Sequence, residues 1–426
     1  MSPHAEPEAT QMLAIAQPAG SPGAFAGVPQ GFAGVAHRAG QRPPSSPPRP
    51  PQLPPVLKSG SPRPPRKAPR WAVLSIILGG IVMLAAGTVV VLPKLLLSYA
   101  TKNIPKVNAL PDPPPSIDGP INILMLGMDQ RGTATDDSSR ADTIIIAHIP
   151  ASHDALYLVS IPRDTEVAIP PDPEAGYAGE DAQKINAAFA IGAGDDLSPD
   201  GRGRGGALTA QTIDQLVPGG LKFNAMAIIN FDGFLGILNV LGGVDMYVDE
   251  DTYSIHYYED GSKPAKGDIP VGEGKFYKKG QHHFAPWEAL DYARQRESLP
   301  DSDYGRQRHQ QQLMKAIMGQ LASKGTLTDV GKLLDLQKAA GDLLTLDLGP
   351  VGIDEWVFTL RGLNPNNMVM IKTNAGQFNK IDINGHRVSG SNQALTQDSM
   401  DMLAAVSKDT LADFLAQHPD FVAQDK

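Results

Sequence analysis

The chain has 426 residues, a formal net charge of −9 and no cysteine, which allows two average domains or one large domain with appendages. The chain has 37 basic and 46 acidic residues, of which residues 1–70 contain 8 basic and 2 acidic ones. Residues 71–426 therefore contain 29 basic and 44 acidic residues, a formal charge of −15. That acidic balance excludes the broad basic surface of a nucleic-acid-binding protein. An exported domain of this chain would be stabilised by its core without disulfides.

The N-terminal region is rich in proline. Residues Pro43 to Arg70 include 12 prolines in 28 residues and no apolar run that could form a core. We therefore predict that residues 1–70 are disordered, with partial polyproline II character. Such a tail can be a ligand for SH3-type domains, but the composition favours a plain spacer.

An uncharged segment follows the tail. Trp71 to Leu92 are 22 residues without a charge, enough to cross a hydrocarbon core of about 30 Å. The basic residues between Arg63 and Arg70 precede it, so the positive-inside rule places residues 1–70 in the cytoplasm. A cleaved signal peptide is the alternative, but its apolar core is shorter and lies near the N-terminus. We predict an uncleaved transmembrane helix over residues 71–97.

The remaining residues are predicted to lie outside the cell, with a stalk over 98–119 and one α/β domain over 120–420. Apolar runs beginning at Ile121, Ala141 and Leu156 predict buried strands. Helices are expected near 286–295, 304–324, 327–345 and 398–416. A further helix begins near Asp232, its expected N-cap, and ends at Gly242, before another strand. Strands mixed with helices predict a three-layer α/β/α domain with a central mixed sheet.

The first two charged clusters follow predicted strands. Asp129, Arg131, Arg140 and Asp142 lie between the first two strands. Two carboxylates in such a loop suit a divalent cation shared with a substrate phosphate, although the spacing alone favours a solvated loop. The second cluster, Arg163-Asp164, follows the third strand and is typical of a structural ion pair.

The third cluster holds two copies of Arg-Gln-Arg, Arg294 to Arg296 and Arg306 to Arg308. The arginine fork matches phosphate or carboxylate oxygens two at a time. Asp303 can cap the second helix, and Arg306 and Gln310 continue along one face to Leu313 and Ile317. A buried Arg306 would need an anionic partner. Arg308 shares its side with glutamines and Lys315, which predicts exposure to solvent.

Six ordered motifs resemble the LytR-CpsA-Psr family of cell-wall glycopolymer ligases over about residues 120–325. They are INILMLGMDQR, SRADTIII, LVSIPRDT, KINAAFA, FDGFLGILNVLGGVDMYV and ALDYARQR…DSDYGRQRHQQ. The resemblance implies a membrane-anchored phosphotransferase. It would move a glycopolymer from polyprenyl pyrophosphate to a peptidoglycan hydroxyl as a phosphodiester, and polyprenyl phosphate would leave. Its partners would be the lipid-linked polymer, peptidoglycan and membrane lipid, with no nucleic acid.

The resemblance also implies residue roles. Mg²⁺ would be held by Asp129 and Asp142. Asp303, Arg306 and Arg163 would be catalytic, with Asp303 a candidate base. The substrate phosphates would be bound by Arg140, Arg163, Arg294, Arg296, Arg306 and Gln310. The family usually has a second arginine where this chain has His309, which predicts an altered rim of the site. The lipid would need an apolar channel between sheet and helices, and DVGKLLDLQKAAGDLL could line it or pack in the core.

Two other functions fit the same residues. One is a non-catalytic receptor for polyprenyl-phosphate lipids that signals through the proline-rich tail. The other is a pyrophosphatase that uses water as the acceptor. The paired aspartates favour chemistry over binding alone, because arginines would suffice to hold a phosphate.

Overall fold

A computed structural model describes residues 107–110, 114–128, 140–265, 268, 270, 272–323, 335–336, 338–360 and 363–423. All of them belong to the unit Pro69–Lys426, which is distinct from the unit Met1–Ala68. The predicted tail, the predicted span Trp71–Leu92 and most of the predicted stalk lie outside the described residues. Among the residues that are described, no helix is both long and apolar enough to cross a membrane.

The centre of the domain is a six-stranded mixed sheet, as the sequence predicts. Its order is β11-β6-β1-β2-β3-β12. The first three strands begin where the apolar runs begin. The strands are β1 (Ile121–Met128), β2 (Ala141–Ile149), β3 (Leu156–Ser160), β6 (Ala225–Asn230), β11 (Leu344–Asp347) and β12 (Met368–Lys372).

The strand directions decide which residues meet at one edge of the sheet. β1 and β6 are parallel, as are β3 and β12, and β2 is antiparallel to both β1 and β3. The ends of β6, β1, β3 and β12 therefore lie at the same edge as the start of β2, where Met128 pairs with Ala141. We call this the upper edge. It gathers polar segments that are far apart in the sequence.

Helices cover both faces of the sheet because side chains alternate along each strand. On one face, Leu124 and Ile144 pack in a core with Phe189 and Leu208 from helices α1 and α2. On the other face, Ile145 packs in a core with Trp356 and Met314 from α6 and α5. The helices are α1 (Asn186–Ala193), α2 (Pro199–Leu216), α3 (Phe231–Leu241), α4 (Pro286–Tyr292), α5 (Asp303–Ser323), α6 (Ile353–Leu360), α7 (Gln397–Ser407) and α8 (Leu411–Gln417).

Three hairpin-like pairs surround the sheet: β4 with β5, β7 with β10, and β8 with β9. These strands are short, and β7 and β10 pack with α4 and α5 in a third core around Tyr292 and Leu313. The strands are β4 (Glu166–Ile169), β5 (Glu180–Lys184), β7 (Val244–Val248), β8 (Thr252–Tyr258), β9 (Gly274–Tyr277) and β10 (Gly280–Phe284).

Several predicted boundaries differ from the structure. The N-cap of α3 is Asn230 rather than Asp232, because its side chain accepts a hydrogen bond from the Gly233 amide at 2.9 Å. The helix predicted over 327–345 lies partly outside the described residues, and its last positions form β11. The helix predicted over 398–416 is two helices, α7 and α8, separated at Asp409, which has a φ of 57°.

Candidate functional site

The upper edge brings together the first two charged clusters. Asp142 is the second residue of β2, and Arg163 lies three residues beyond β3, its antiparallel neighbour. The Nη1 atom of Arg163 donates to Oδ1 of Asp142 at 2.8 Å. Arg163 Nε lies 3.9 Å from Asp164, whose carboxylate instead accepts from Lys184 at 2.6 Å. The principal partner of Arg163 is therefore Asp142, not the adjacent aspartate.

The beginning of α5 adds the third cluster to this edge. Asp303 is 8% exposed and lies in the first turn of the helix. Its Oδ1 accepts from Nη2 of Arg306 at 2.5 Å, and its Oδ2 accepts from Gln307 at 2.8 Å. Nη2 of Arg306 also donates to the carbonyl of Asp142 at 3.3 Å. The side chain of Asp303 thus orients Arg306 toward β2 rather than capping the helix.

Three arginines at this edge keep buried donors without a partner. The Nε atoms of Arg163, Arg296 and Arg306 are buried and make no hydrogen bond within the described residues, and the same is true of Oε1 of Gln310. Leaving a buried polar atom unpaired costs about 1–3 kcal/mol. We call Arg163, Arg296 and Arg306 the arginine cluster. Three unsatisfied donors on neighbouring guanidinium groups are typical of a site that receives an anion.

The electrostatics of the cluster also favour an anion. Burial, together with the positive charges of Arg163 and Arg296, lowers the pKa of Arg306 even though Asp303 is adjacent. Burial opposes the charge of Arg163 as well, but the carboxylates of Asp142 and Asp164 outweigh it and raise the pKa of Arg163. Three carboxylates, Asp142, Asp164 and Asp303, contact the cluster. Asp164 also pairs with Lys184, so four cations share these three carboxylates. An anion among the arginines would reduce their mutual repulsion.

An apolar cavity of about 400 Å³ opens beside the cluster, between the sheet and helices α3, α4 and α5. Gln310 and Arg294 contribute to its wall, and the guanidinium carbon of Arg294 lies 4.5 Å from the centre of the Phe231 ring. Leu336, Ala340 and Leu344 also line it, so part of the segment DVGKLLDLQKAAGDLL lies at this cavity. The other lining side chains include Met125, Ile145, Ala227, Ile229, Phe234, Ile237, Leu290, Leu313, Met314, Ile317, Met318 and Leu321.

The remaining predicted site residues are placed as follows. Arg140 is half-buried directly before β2, next to Asp142 in the chain. Asp129 and Arg131 lie outside the described residues. Arg294 is half-buried at the apolar cavity, whereas Arg296 lies with Asp303, 3.9 Å from its Nε to Oδ1. The two arginines of the first Arg-Gln-Arg therefore lie in different environments, one at the apolar cavity and the other beside Asp303.

The prediction that Arg308 faces solvent is wrong. Its guanidinium group forms ion pairs with Asp249, Glu250 and Asp301, and its side chain is only 17% exposed. The neighbours assigned to solvent are also buried, since Gln311 and Gln312 are 1% and 8% exposed. Periodicity places Arg308 opposite the Leu313 face, but the β7–β8 turn covers that side of the helix.

His309 does not lie at a rim either. It is fully buried, and its ring stacks on Tyr292 with 3.9 Å between the ring centres. Its Nε2 lies 3.2 Å from Asp249 Oδ1, and the Tyr292 hydroxyl donates to the same oxygen at 3.0 Å. Burial opposes the charge of Asp249, yet His309 and Arg308 lower its pKa. His309 is therefore part of the support behind Arg308.

Two acidic arrangements could be considered for a metal ion. Asp249, Glu250 and His309 offer ligand atoms within 4.8 Å of one another. They do not suit a cation, because both carboxylates already pair with the fixed charge of Arg308. Asp142 fits better, since its described ion pair uses Oδ1 and leaves Oδ2 for a metal. The side chain is also 20% exposed, so a ligand can reach it.

The amino-acid sequence matches the model of a known protein family. The model of the LytR_cpsA_psr family matches residues 98–411, which is more than half of the chain. The chain belongs to the LytR_cpsA_psr family. The resemblance of the six sequence motifs is thereby confirmed.

Two curated relatives have informative names. TagU of Bacillus cereus, a polyisoprenyl-teichoic acid–peptidoglycan teichoic acid transferase, is 31% identical over 229 residues, which are 54% of this chain and 62% of TagU. TagV of Bacillus subtilis carries the same description and is 26% identical over 216 residues, 51% of this chain and 47% of TagV. The matched region thus spans between about half and three-fifths of these relatives.

A solved structure shares the fold. Protein gbs0355 from Streptococcus agalactiae superposes with a TM-score of 0.51 at 18% identity, covering 68% of this chain and 88% of that one. At that identity the likeness concerns the fold alone. It agrees with the mixed α/β domain and central sheet described above.

Sequence reasoning assigned no role to three supporting residues. Gln307 holds the second oxygen of Asp303, and the four-residue spacing was the available signal. Lys184 holds Asp164 and also donates to Ser391 at 2.7 Å. Asp249 has no local signal at all, because its partner Arg308 is 59 residues away in the sequence.

Proposed function

We propose that the chain is a phosphotransferase that moves a polyprenyl-pyrophosphate-linked glycopolymer onto a peptidoglycan hydroxyl. The observation that carries the proposal is the arginine cluster, with three buried and unpaired donors, beside an apolar cavity of about 400 Å³. An amphiphile with an anionic head and a hydrocarbon tail has the chemistry of this pair of sites. Polymer and acceptor are inferred from the names of the relatives TagU and TagV.

The arginine cluster would bind the pyrophosphate. Arg306 and Arg163 already lie on either side of Asp142, and Arg296 approaches Asp303. Their unused Nε donors would contact phosphate oxygens, with Arg140 and Arg294 completing the binding set. Gln310, which shares the wall of the cavity, would contact the junction between head group and tail.

The reaction would proceed by displacement at the phosphorus that carries the glycan. The acceptor oxygen forms a bond to this phosphorus, the bond to polyprenyl phosphate breaks, and the acceptor hydroxyl loses its proton. Negative charge spreads over the phosphoryl oxygens in the transition state, where fixed guanidinium groups stabilise it most. Asp303 would receive the proton, and its two oxygens already accept hydrogen bonds from Arg306 and Gln307.

Asp142 and Asp129 would hold Mg²⁺. When bound, the metal would neutralise phosphate charge and reduce repulsion between these oxygens and the carboxylates. The exposure of Asp142 and its remaining oxygen support this role. The carboxylate would meanwhile keep Arg163 in place through its other oxygen.

The proposed location is the outer face of the cell membrane, with residues 1–70 in the cytoplasm and a single span over residues 71–97. The uncharged segment and its basic N-terminal flank support it. Protease added to intact cells should then remove the C-terminal domain and spare the tail. Protection of that domain would reverse the orientation.

Purified protein with a polyprenyl-pyrophosphate-linked oligosaccharide and peptidoglycan fragments tests the reaction. We expect joined saccharide and free polyprenyl phosphate in equal amounts. EDTA and Asp142→Ala should each reduce the rate more than about tenfold, and added Mg²⁺ should rescue only the chelated parent. The matched control is Asp420→Ala, a change in an exposed carboxylate of the 3₁₀ turn Pro419–Phe421.

The same experiment separates the alternatives. Release of polyprenyl phosphate without joined saccharide would favour a pyrophosphatase. Tight binding of the lipid with no release would favour a receptor. Full activity after chelation would contradict the metal role and leave Asp142 as the residue that orients Arg163.

A further inference from the structure

We infer that a second, polar cleft binds the acceptor saccharide; this inference rests on the proposed function and names a subsite for it. The cleft has a volume of about 440 Å³. We call it the polar cleft and define it by Asp249, Glu250, Lys279, Asp301, Arg308 and Lys372. It contains none of the residues that line the apolar cavity.

The strand order places the polar cleft on the far side of the arginine cluster from the apolar cavity. The apolar cavity lies over β6, β1 and β2, where Ala227, Met125 and Ile145 line it. Asp142 lies at the start of β2, and Arg163 lies three residues beyond the end of β3, the next strand. Lys372 ends β12, the edge strand beyond β3, and lines the polar cleft. The three sites follow one another across the upper edge.

That sequence of sites suits an in-line displacement. The attacking and leaving oxygens lie on opposite sides of the phosphorus in such a reaction. With polyprenyl phosphate leaving toward the apolar cavity, the attacking hydroxyl must approach from the side of β3 and β12. The polar cleft is on that side, and Asp301 lies two residues before Asp303 in the chain.

The charges of the polar cleft indicate a neutral, hydroxyl-rich ligand. Three carboxylates and three cations line it. Arg308 pairs with all three carboxylates, which fixes their orientation and leaves little net field for a second phosphate or a metal. The cleft thus offers both hydrogen-bond donors and hydrogen-bond acceptors. A saccharide requires both, because each hydroxyl group donates and accepts.

The cleft still has unused hydrogen-bonding groups. Oδ1 of Asp301 is buried and has no hydrogen-bond partner among the residues that the structure describes. Within the described part of the chain, the ammonium groups of Lys279 and Lys372 have no ion-pair or hydrogen-bond partner either. These groups can donate to or accept from sugar hydroxyls without disrupting the ion pairs of Arg308.

The test measures binding and transfer with soluble peptidoglycan oligosaccharides. We expect Lys372→Gln and Lys279→Gln each to raise the KM for the oligosaccharide about tenfold, the effect of losing one charged hydrogen bond. The Kd of polyprenyl pyrophosphate should stay within about twofold. Lys222→Gln is the matched control, because this exposed lysine precedes β6 at the opposite edge of the sheet.

Ligand-observed NMR with the oligosaccharide alone provides a readout that does not depend on turnover. Weaker saccharide binding in both cleft variants, with the control unchanged, supports the subsite. Transfer that continues with an unchanged KM in both variants overturns it and leaves the proposed function intact. A loss of affinity for the glycan of the lipid-linked donor, instead of the free oligosaccharide, also overturns it. No transfer by the parent protein to any saccharide contradicts the proposed function itself.

Discussion

Arg306 and Arg308 are two residues apart on the same helix, but their surroundings are opposite. Arg306 has one carboxylate partner, two arginine neighbours and a buried Nε without a hydrogen bond. Arg308 has three carboxylate partners, and they raise its pKa although burial opposes its charge. The guanidinium group of Arg306 thus keeps an unused donor, whereas that of Arg308 is fully occupied by its carboxylate partners. Partner number, rather than residue type, distinguishes a ligand site from a structural ion network.

The largest effect is expected when the guanidinium group of Arg306 is replaced by an ammonium group. Arg306→Lys should lower kcat about 10²–10³-fold, equivalent to about 3–4 kcal/mol of transition-state stabilisation. Lysine keeps the charge opposite Asp303 but cannot make a two-pronged contact with a phosphate. Turnover of a polyprenyl-pyrophosphate-linked substrate checks this, with the exposed Arg387→Lys as control. Near-parental turnover would show that Arg306 binds no phosphate.

The converse change concerns Arg308. Arg308→Ala should lower the free energy of unfolding by about 3 kcal/mol, because it leaves three partly buried carboxylates without their cation. The Arg308 side chain is only 17% exposed, so solvent does not replace the lost cation. Urea unfolding of the variant and of Arg387→Ala measures the difference. Equal stability of the two variants would contradict the structural role.

The free energy of unfolding at low pH gives a further test of the ion pairs around Arg308. Burial opposes the ionised form of Asp249, but His309 and Arg308 lower its pKa below the unfolded value. Its stabilisation is therefore present above about pH 4 and is lost as pH falls toward the folded pKa. Asp249→Asn should make the free energy of unfolding less dependent on pH below about pH 4. An unchanged slope would show that Asp249 is not coupled to folding.

The smallest effect is expected at Arg296. Its side chain is 36% exposed and its Nε lies 3.9 Å from Asp303, so solvent competes with any phosphate contact. Arg296→Ala should raise the Kd of polyprenyl pyrophosphate about tenfold, with little change in stability. Titration with the lipid at low detergent measures it, and Arg294→Ala provides the comparison at the cavity wall. An increase in Kd by as large a factor as the decrease in kcat expected for Arg306→Lys would place Arg296 at the centre of the site.

Much of the fold could be predicted because its signals are local. The apolar runs from Ile121, Ala141 and Leu156 form strands, and the spacing of Arg306, Gln310, Leu313 and Ile317 places them on one face. Gly242 ends α3 in a left-handed conformation with a φ of 74°, which suits glycine. The pairing of Asp142 with Arg163 was not predicted from the adjacent Arg163-Asp164, because it depends on two strand ends that share an edge.

The environment of Arg308 could not be predicted from local pattern. Helical periodicity tells which residues share a face, but not which distant segment packs on that face. Asp249 and Glu250 belong to the β7–β8 turn, almost 60 residues earlier in the sequence. They pack on the polar face of the helix and form ion pairs with Arg308 there. The same limit applies to His309, whose contact with Tyr292 depends on how α4 packs against α5.

The decisive measurement is a crystal structure with bound polyprenyl pyrophosphate. We expect the pyrophosphate to contact the Nε atoms of Arg163, Arg296 and Arg306, with the hydrocarbon chain in the apolar cavity beside Gln310. The ion pairs of Arg308 should remain as they are. A head group bound in the polar cleft by Arg308 and Lys372, with the arginine cluster empty, would contradict it.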